Sequence, residues 1–306
     1  MEQRPEQRPS PPLSIRIAGI IALFFACTAI NWLYIPAASW NGVLTGDAGE
    51  VLYAAGFDGF TDEWREYDGR EFAQIESGAL RIGVEESASV IYSPAQPVFD
   101  DFDVRVDTRA VAGMRGDEDN NAFGIVFRLQ EPRTDCRLPL QILCDVGAAT
   151  PQLGAWLTVI AGGEQETTGF MLFLISSDGY YSVWRGTEAG TTRISTWIAS
   201  DAINQGLDAD NRLRVVGRGD RYQFFINGTQ VDLCIPTAED GISTYYLGEC
   251  IDGTMQGTLV DDSFDRGQLA LAIDSVNSTP TFTVEFDNVV VIAPPTTDAQ
   301  ALGDQT

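Results

Sequence analysis

The sequence predicts an all-β fold, an antiparallel sandwich or barrel, preceded by a single N-terminal transmembrane helix. Two observations predict the β domain. From Asn211 to Ile226, apolar and polar residues alternate on either side of a Gly-Arg-Gly-Asp turn, as is typical of half-buried strands. Asn227-Gly228 follows, and this dipeptide favours the positive φ angles of a tight hairpin turn. A third observation, an uncharged apolar segment at 17–35, predicts the helix.

Length and charge narrow the classes of function. The chain has 306 residues, enough for one large β domain and an appendage. Its 44 acidic residues against 19 basic ones give a formal net charge of −25, which repels phosphate backbones and excludes nucleic acid as the expected partner. There is no histidine, which excludes Ser-His-Asp and Cys-His nucleophilic sites and most zinc sites.

The N-terminal segment is typical of a membrane anchor. Residues 17–35 carry no charge and as a helix would span roughly 28 Å, close to the hydrocarbon thickness of a bilayer. Trp32 and Tyr34 lie at the far end, where aromatic rings favour the membrane interface. Arg16 ends the polar segment 1–16, so the positive-inside rule predicts a cytoplasmic tail there and an extracytoplasmic domain beyond.

Two alternatives to the anchor remain open. The apolar segment could belong to a signal peptide cleaved near Ala37-Ala38-Ser39, or to a lipoprotein modified at Cys27. In the anchored form, Cys27 is a plain apolar residue within the membrane. Residues 36–51 are expected to be a linker that holds the domain near the membrane.

Short strands separated by turn residues predict one β domain at 52–293, followed by a disordered tail at 294–306. Phe123, Ile125 and Phe127 are expected to point inward, and Arg128 to point outward with Gly124 and Val126. The other predicted strands are 79–84, 89–92, 103–110, 170–175, 180–185, 268–273 and 281–292.

Two insertions interrupt the predicted strands, near 131–168 and 233–263. Each carries one pair of cysteines, Cys136 with Cys144 and Cys234 with Cys250. Of the three possible pairings, a disulfide within each insertion is the simplest, because each bond then closes a short loop. An extracytoplasmic location permits these bonds to form.

Short motifs recur along the predicted domain, namely Phe57-Asp58-Gly59-Phe60, Asp101 to Val104, Phe123 to Arg128, Asp178 to Tyr181, Asn211 to Val215, Phe225 to Gly228, Gly267 to Leu271 and Phe286 to Val289. Together they resemble the concanavalin A-like, laminin G-like jelly rolls of bacterial membrane-anchored surface proteins. The resemblance implies a jelly-roll sandwich over about 53–293, and its relatives include sugar-binding modules, adhesion domains and glycosidases. The glycosidase branch carries a strand with two spaced glutamates, ExDxxE, and the sequence has no such strand. A non-catalytic module is therefore expected.

One sheet face is the expected ligand site, because jelly rolls can bind sugars by stacking aromatic rings on them and by bonding their hydroxyls to Arg or carboxylate groups. The alternative for this face is a solvated surface of cross-strand ion pairs. Asp58 and Asp287, near the first and last strands, are the candidates for a structural Ca²⁺ that the resemblance implies. The predicted ligand-binding residues are Arg105, Asp107, Arg109, Arg128, Trp184, Arg214 and Glu285.

The sequence therefore predicts a membrane-anchored extracytoplasmic module that binds a glycan or a surface partner. One alternative is an accessory subunit of a membrane complex that docks through its disulfide-closed insertions. A second alternative is a carbohydrate-active hydrolase.

Overall fold

A computed structural model describes residues 42–59, 63–85, 90–113, 121–130, 169–238, 241–275 and 282–295. These residues form strands and turns, and they contain no helix that could cross a membrane. The predicted tail 1–16, the transmembrane segment 17–35 and the insertion 131–168 lie outside the described residues, as do 296–306 of the predicted C-terminal tail.

Twenty strands form within the described residues, and most of the predicted strands appear with their ends shifted by one to a few residues. They are β1 Val43–Leu44, β2 Val51–Ala55, β3 Glu71–Glu76, β4 Ala79–Val84, β5 Ile91–Phe99, β6 Phe102–Ala112, β7 Asn121–Gln130, β8 Gly169–Ser176, β9 Tyr180–Thr187, β10 Gly190–Ala199, β11 Asp210–Arg218, β12 Arg221–Ile226, β13 Thr229–Val231, β14 Leu233–Pro236, β15 Thr244–Tyr246, β16 Glu249–Ile251, β17 Gly253–Gln256, β18 Leu259–Val260, β19 Gly267–Ser275 and β20 Phe282–Ile292.

The strands form two large sheets. The seven-stranded sheet has the order β1-β5-β19-β7-β8-β9-β10, and the nine-stranded sheet has the order β13-β12-β11-β6-β20-β4-β3, with β18 beside β12 and β2 beside β20. Neighbouring strands are antiparallel except β1, which pairs parallel with β5. Strand β1 lies within 36–51, the predicted linker, so the strands of the domain begin before residue 52.

Aromatic side chains from the two sheets meet in the core between them. The ring of Phe224, from the nine-stranded sheet, lies 5.0 Å from Phe173 and 6.1 Å from Phe127, both from the seven-stranded sheet. Phe123 and Phe282 make a similar pair at 6.2 Å. All five side chains are almost completely buried. The described domain is therefore an antiparallel β-sandwich, as the alternation predicts.

The second insertion contains two small hairpin-like sheets, one from β14 with β17 and one from β15 with β16. A disulfide joins Cys234 of β14 to Cys250 of β16, with Cα atoms 5.6 Å apart. This confirms the predicted pairing within 233–263. Cys136 and Cys144 lie outside the described residues, so their pairing stays a prediction.

Candidate functional site

The outer face of the nine-stranded sheet carries a polar groove of about 870 Å³. Strands β6, β11 and β20 form its floor, and the β3–β4 turn, the β12–β13 turn and the loop before β11 form its rim. The lining residues, here called the polar groove, are Ser77, Gly78, Ala79, Asp107, Thr108, Arg109, Asn204, Asp210, Asn211, Arg212, Asn227, Gly228, Glu285, Asp287 and Asn288.

Strand register brings charges of opposite sign together on the floor. Asp107 of β6 stands directly opposite Arg212 of β11, and Arg109 of β6 stands opposite Glu285 of β20. Since side chains on one strand alternate between faces, these four all point away from the core. The predicted residues Asp107, Arg109 and Glu285 therefore share one site, which also includes Arg212.

The ion pairs on the floor are short and hydrogen-bonded. Arg212 donates from Nε and Nη2 to the two carboxylate oxygens of Asp107, at 2.6 and 2.9 Å. Arg109 Nη2 donates to Glu285 Oε2 at 2.7 Å. These hydrogen bonds raise the pKa of each guanidinium group above its ordinary value, and the negative charge of the paired carboxylate raises it further. Both arginines stay charged at every working pH, so the groove presents fixed positive as well as negative groups.

Asn288 joins two carboxylates that would otherwise face each other. Asp287 stands opposite Asp107, and like charges in that arrangement repel. Just after Asp287 the strand gains an extra residue, and Asn288 there takes a left-handed backbone with φ of 52°. Its Nδ2 donates to Asp107 Oδ2 and to Asp287 Oδ2, at 3.1 Å each. The bulge thus supplies the amide that holds the two acids side by side.

Three asparagines fix the rim of the groove. Asn227 donates from Nδ2 to Asn211 Oδ1 at 2.9 Å and to the carbonyl of Ala202 at 2.8 Å. Asn211 Nδ2 donates to the carbonyl of Asn204 at 2.9 Å, and the backbone N–H of Asn204 donates back to Asn211 Oδ1 at 2.9 Å. The loop at 200–209 is therefore tied to the Asn227-Gly228 turn, so this side of the groove is preorganised.

Beyond the groove, the same face continues as a cluster around one buried carboxylate. Arg105 and Arg214 stand directly opposite each other, and Asp103, with a side chain only 2% exposed, accepts from both. The Arg214 contacts are 2.7 and 2.8 Å, and the Arg105 contacts are 3.4 and 3.0 Å. Arg214 also lies 4.7 Å from the centroid of the Phe225 ring. This part of the face matches the ion-pair alternative, since both arginines are held by an internal acid.

The expectation that Arg128 points outward is wrong. Its side chain is fully buried between the sheets. The backbone of Arg128 is left-handed, with φ of 57°, and the register of β7 against β8 shifts there, so the alternation of inward and outward side chains breaks. Nε donates to Tyr222 Oη at 3.1 Å, Nη2 to the carbonyl of Gly219 at 2.9 Å, and Nη1 to the carbonyl of Asp100. Arg128 joins three chain segments and takes no part in the groove.

Trp184 also lies apart from the groove. It is half-buried on the outer face of the seven-stranded sheet, where it packs with Leu172 and other apolar residues, and Arg193 lies 5.7 Å from its ring centroid. Asp274 of β19 is on the same sheet, and burial raises the pKa of its carboxyl above the ordinary value. The two outer faces therefore differ, since one is charged and the other is largely apolar.

The residues predicted to hold calcium border the groove but do not form a cage. The carboxylate of Asp58 reaches Gly78, since a Cβ built on Gly78 would lie 2.8 Å from Asp58 Oδ1. Asp287 Oδ1 accepts from the backbone N–H of Asn288 at 2.6 Å. Within the described ranges, no three acidic or other metal-ligating side chains come together, whereas Ca²⁺ takes six to eight oxygens. The described residues thus add no support for a Ca²⁺ site.

Sequence reasoning missed several residues of this face, for two reasons. Arg212 and Asp103 lie on predicted strands, two positions from Arg214 and Arg105 and therefore on the same face. Strand alternation alone is sufficient to place them in the predicted ligand site. Asn288 lies in a β-bulge, and Asn204 lies in the loop before β11, outside any strand. Neither leaves a periodic signal.

No protein-family model matches the chain, and no curated protein sequence matches it. Solved structures resemble it in shape. A carbohydrate binding module, CBM66, from Bacillus subtilis is 11% identical, covers 75% of this chain and 95% of its own, and has a TM-score of 0.41. A Bacillus subtilis protein of unknown function with a galectin-like fold is 12% identical, covers 80% of this chain and 97% of its own, and has a TM-score of 0.48. A beta-glucanase from Bacillus licheniformis is 6% identical, covers 80% of this chain and 98% of its own, and has a TM-score of 0.46. These three solved structures are sandwich folds.

Proposed function

We propose that the protein is an extracytoplasmic, non-catalytic module that binds a neutral, hydroxyl-rich ligand, an oligosaccharide, in the polar groove. The observation that carries the proposal is the groove itself. It combines carboxylates, guanidiniums and side-chain amides on a rigid sheet, and these groups both donate and accept hydrogen bonds, as sugar hydroxyls do. We further infer that the sandwich is a jelly roll, which the order of strands in the two sheets supports.

The charge of the groove favours a neutral ligand over an acidic one. Its lining includes two arginines, and each already pairs with an acid of the groove. An anionic sugar would have to compete with those internal carboxylates and would face the remaining acids. A neutral sugar can hydrogen-bond to the exposed parts of both arginines, since 44% of the Arg109 side chain and 61% of the Arg212 side chain are exposed. The lining acids are Asp107, Asp210, Glu285 and Asp287.

The groove differs from a typical lectin site in one respect. No aromatic ring lines it among the described residues, and Phe225, on the same face, is 8% exposed beneath Arg214. Ring stacking therefore contributes little, and planar hydrogen-bonding groups provide the specificity. We expect weak binding to a single sugar residue and a gain in affinity with oligosaccharide length, because several shallow contacts must add up.

The proposed location outside the cytoplasm rests on the disulfide and on the N-terminal sequence. Cys234–Cys250 is the kind of structural bond that persists in oxidising compartments. The uncharged segment 17–35 would anchor the domain to the membrane and keep it close to envelope glycans.

The test is isothermal titration of the full-length protein in detergent with a panel of neutral and uronic-acid oligosaccharides, each with and without added Ca²⁺. We expect saturable binding of a neutral oligosaccharide, at least tenfold weaker in Arg109→Ala and in Asp287→Ala. Arg221→Ala removes an exposed arginine of the same sheet outside the groove and serves as the control. Binding that Arg109→Ala leaves unchanged, or binding of no neutral sugar, contradicts the proposal.

The same samples separate binding from hydrolysis. Chromatography of the bound oligosaccharide after prolonged incubation is expected to recover it intact. Shorter products that disappear in Asp107→Asn would instead favour the hydrolase alternative, since a glycosidase needs a pair of acids in its cleft.

A further inference from the structure

Exposed apolar side chains concentrate in the second insertion. Six of the eight large hydrophobic residues that are exposed in the described part of the chain belong to 233–263. Leu247 is the most exposed at 85%, and Tyr246 beside it is exposed at 62%. Two adjacent large apolar side chains exposed to this degree are uncommon on a protein surface unless they contact something. The others in the insertion are Ile242, Ile251, Met255 and Val260.

The backbone at Leu247 makes this exposure more informative. The β15–β16 hairpin turns through Leu247-Gly248, whose φ angles are 50° and 84°. The same chain makes the same kind of turn at Asn227-Gly228, with φ angles of 50° and 82°. Asparagine suits a left-handed residue, whereas a leucine there costs about 1–2 kcal/mol. Neither backbone geometry nor burial explains a leucine at this tip.

Core packing, a disulfide and a hydrogen bond fix the hairpin to the rest of the domain. Tyr245 and Cys250 are cross-strand partners that pack against the core, so Tyr246 on the next position faces outward. The disulfide to Cys234 fastens the hairpin to β14, and Ser243 Oγ donates to the carbonyl of Cys234 at 2.6 Å. A tip fixed in this way loses little conformational entropy when it binds.

The charge around the tip indicates what it binds. Between Arg221 and Arg266 the chain has no basic residue and carries eight acidic ones, of which Asp261 pairs with Arg185. Glu249 and Asp252, which follow the tip in sequence, are exposed. This acidic surround repels anionic lipid and also a second copy of a chain whose net charge is −25. The complementary surface is apolar at its centre and basic at its edge.

We propose that the Tyr246-Leu247 tip docks into an apolar pocket, rimmed by Lys and Arg side chains, on a partner protein. The tip supplies the apolar contact, and the acidic residues around it select the partner and speed association. This interaction does not depend on sugar binding in the polar groove, because the two sites share no residue.

The first experiment places a photoreactive residue at the tip. The full-length protein with Leu247→p-benzoylphenylalanine is irradiated in its native cells, and the cross-linked peptide is sequenced. We expect one predominant partner whose cross-linked segment combines apolar residues with Lys or Arg. Cross-links to a second copy, to lipid, or to no defined protein overturn the proposal.

The second experiment measures the affinity of that purified partner for the full-length protein. Leu247→Asn is expected to weaken binding at least tenfold, because it removes the apolar side chain at the centre of the contact. The Tm of this variant should equal or exceed that of the wild type, because asparagine adopts the left-handed backbone conformation with less strain than leucine. Val51→Asn changes a residue that is 58% exposed on β2, outside the insertion, and is expected to bind normally. Raising the salt concentration should weaken the wild-type complex. A Leu247→Asn protein that melts earlier and binds normally would assign the leucine a structural role instead.

Discussion

Arginines occupy two contrasting places in this protein, the interior between the sheets and the outer face of the nine-stranded sheet. Arg128 is fully buried and donates mainly to backbone carbonyls and to a tyrosine hydroxyl. Arg212 is 61% exposed and donates to the carboxylate of Asp107. Each forms a well-aligned set of hydrogen bonds, but the Arg128 side chain and its partner Tyr222 are shielded from water, whereas most of the Arg212 side chain is in contact with it.

This difference assigns different roles to similar geometry. A buried polar group that loses its partner bears the full cost of desolvation, whereas an exposed ion pair contributes little to stability. The interior arginine therefore belongs to the fold, and the outer arginines remain available for binding. We therefore expect the effect of a substitution on stability to decrease from the most buried charge to the most exposed one.

The largest effect is expected at Arg128. Arg128→Met keeps the apolar stem but leaves Tyr222 Oη and the carbonyl of Gly219 without their donor, so the free energy of unfolding should fall by roughly 3 kcal/mol or more. Urea unfolding followed by tryptophan fluorescence measures it. Arg128→Lys keeps the charge without the planar fork and should recover only part of the loss. A loss below 1 kcal/mol for Arg128→Met would contradict the assignment.

Arg128 also marks the limit of what the sequence could predict. Alternation places Phe123, Ile125 and Phe127 inward correctly, because the β ladder is regular up to that point. It fails one residue later, where a left-handed residue and a shift of register change the direction of the side chain. The sequence does not predict strand β10 for a related reason. Its register against β9 shifts twice, so apolar and polar residues do not alternate regularly along it.

The outer face was predicted in part. The alternation of side chains along β6 and β11 correctly places Arg105, Asp107, Arg109 and Arg214 on the outer face. The local sequence pattern is sufficient for this prediction. The groove, however, is closed by segments distant in sequence, such as the Ser77-Gly78 turn. Such a boundary depends on the pairing of strands far apart in the chain, which periodicity does not encode.

Asp103 is the intermediate case, because it lies on the outer face yet is 2% exposed. Asp103→Asn leaves Arg105 and Arg214 facing each other without the shared acid, so we expect a loss of about 2 kcal/mol in the free energy of unfolding. Asp107→Asn is the matched control, since its side chain is 29% exposed and its loss should stay below about 1 kcal/mol. Equal losses in the two variants would show that burial does not determine the difference.

Asp274 tests the opposite situation, a carboxyl for which the described residues show no cationic partner. Burial raises its pKa, so the folded state favours the protonated form. Its contribution to stability is present below the ordinary pKa of an aspartic acid and is lost as the pH rises through the raised value. Asp274→Asn should therefore increase Tm at pH 7 and change it less at pH 3.5. The exposed Asp262→Asn is the control and should change Tm little at either pH. An Asp274→Asn protein that melts earlier at pH 7 would show that the carboxylate has a stabilising partner.

The smallest effect on stability is expected at Arg212, and it is the most informative about function. Arg212→Ala removes an exposed bidentate pair with Asp107, so the free energy of unfolding should fall by less than about 1 kcal/mol. Sugar binding should nevertheless weaken, because Arg212 lines the groove and positions Asp107 for a ligand hydroxyl. Urea unfolding and oligosaccharide titration on the same preparation separate the two effects. If Arg212→Ala destabilises the fold strongly and leaves titration unchanged, the outer row is structural, and the division between interior and exterior arginines fails.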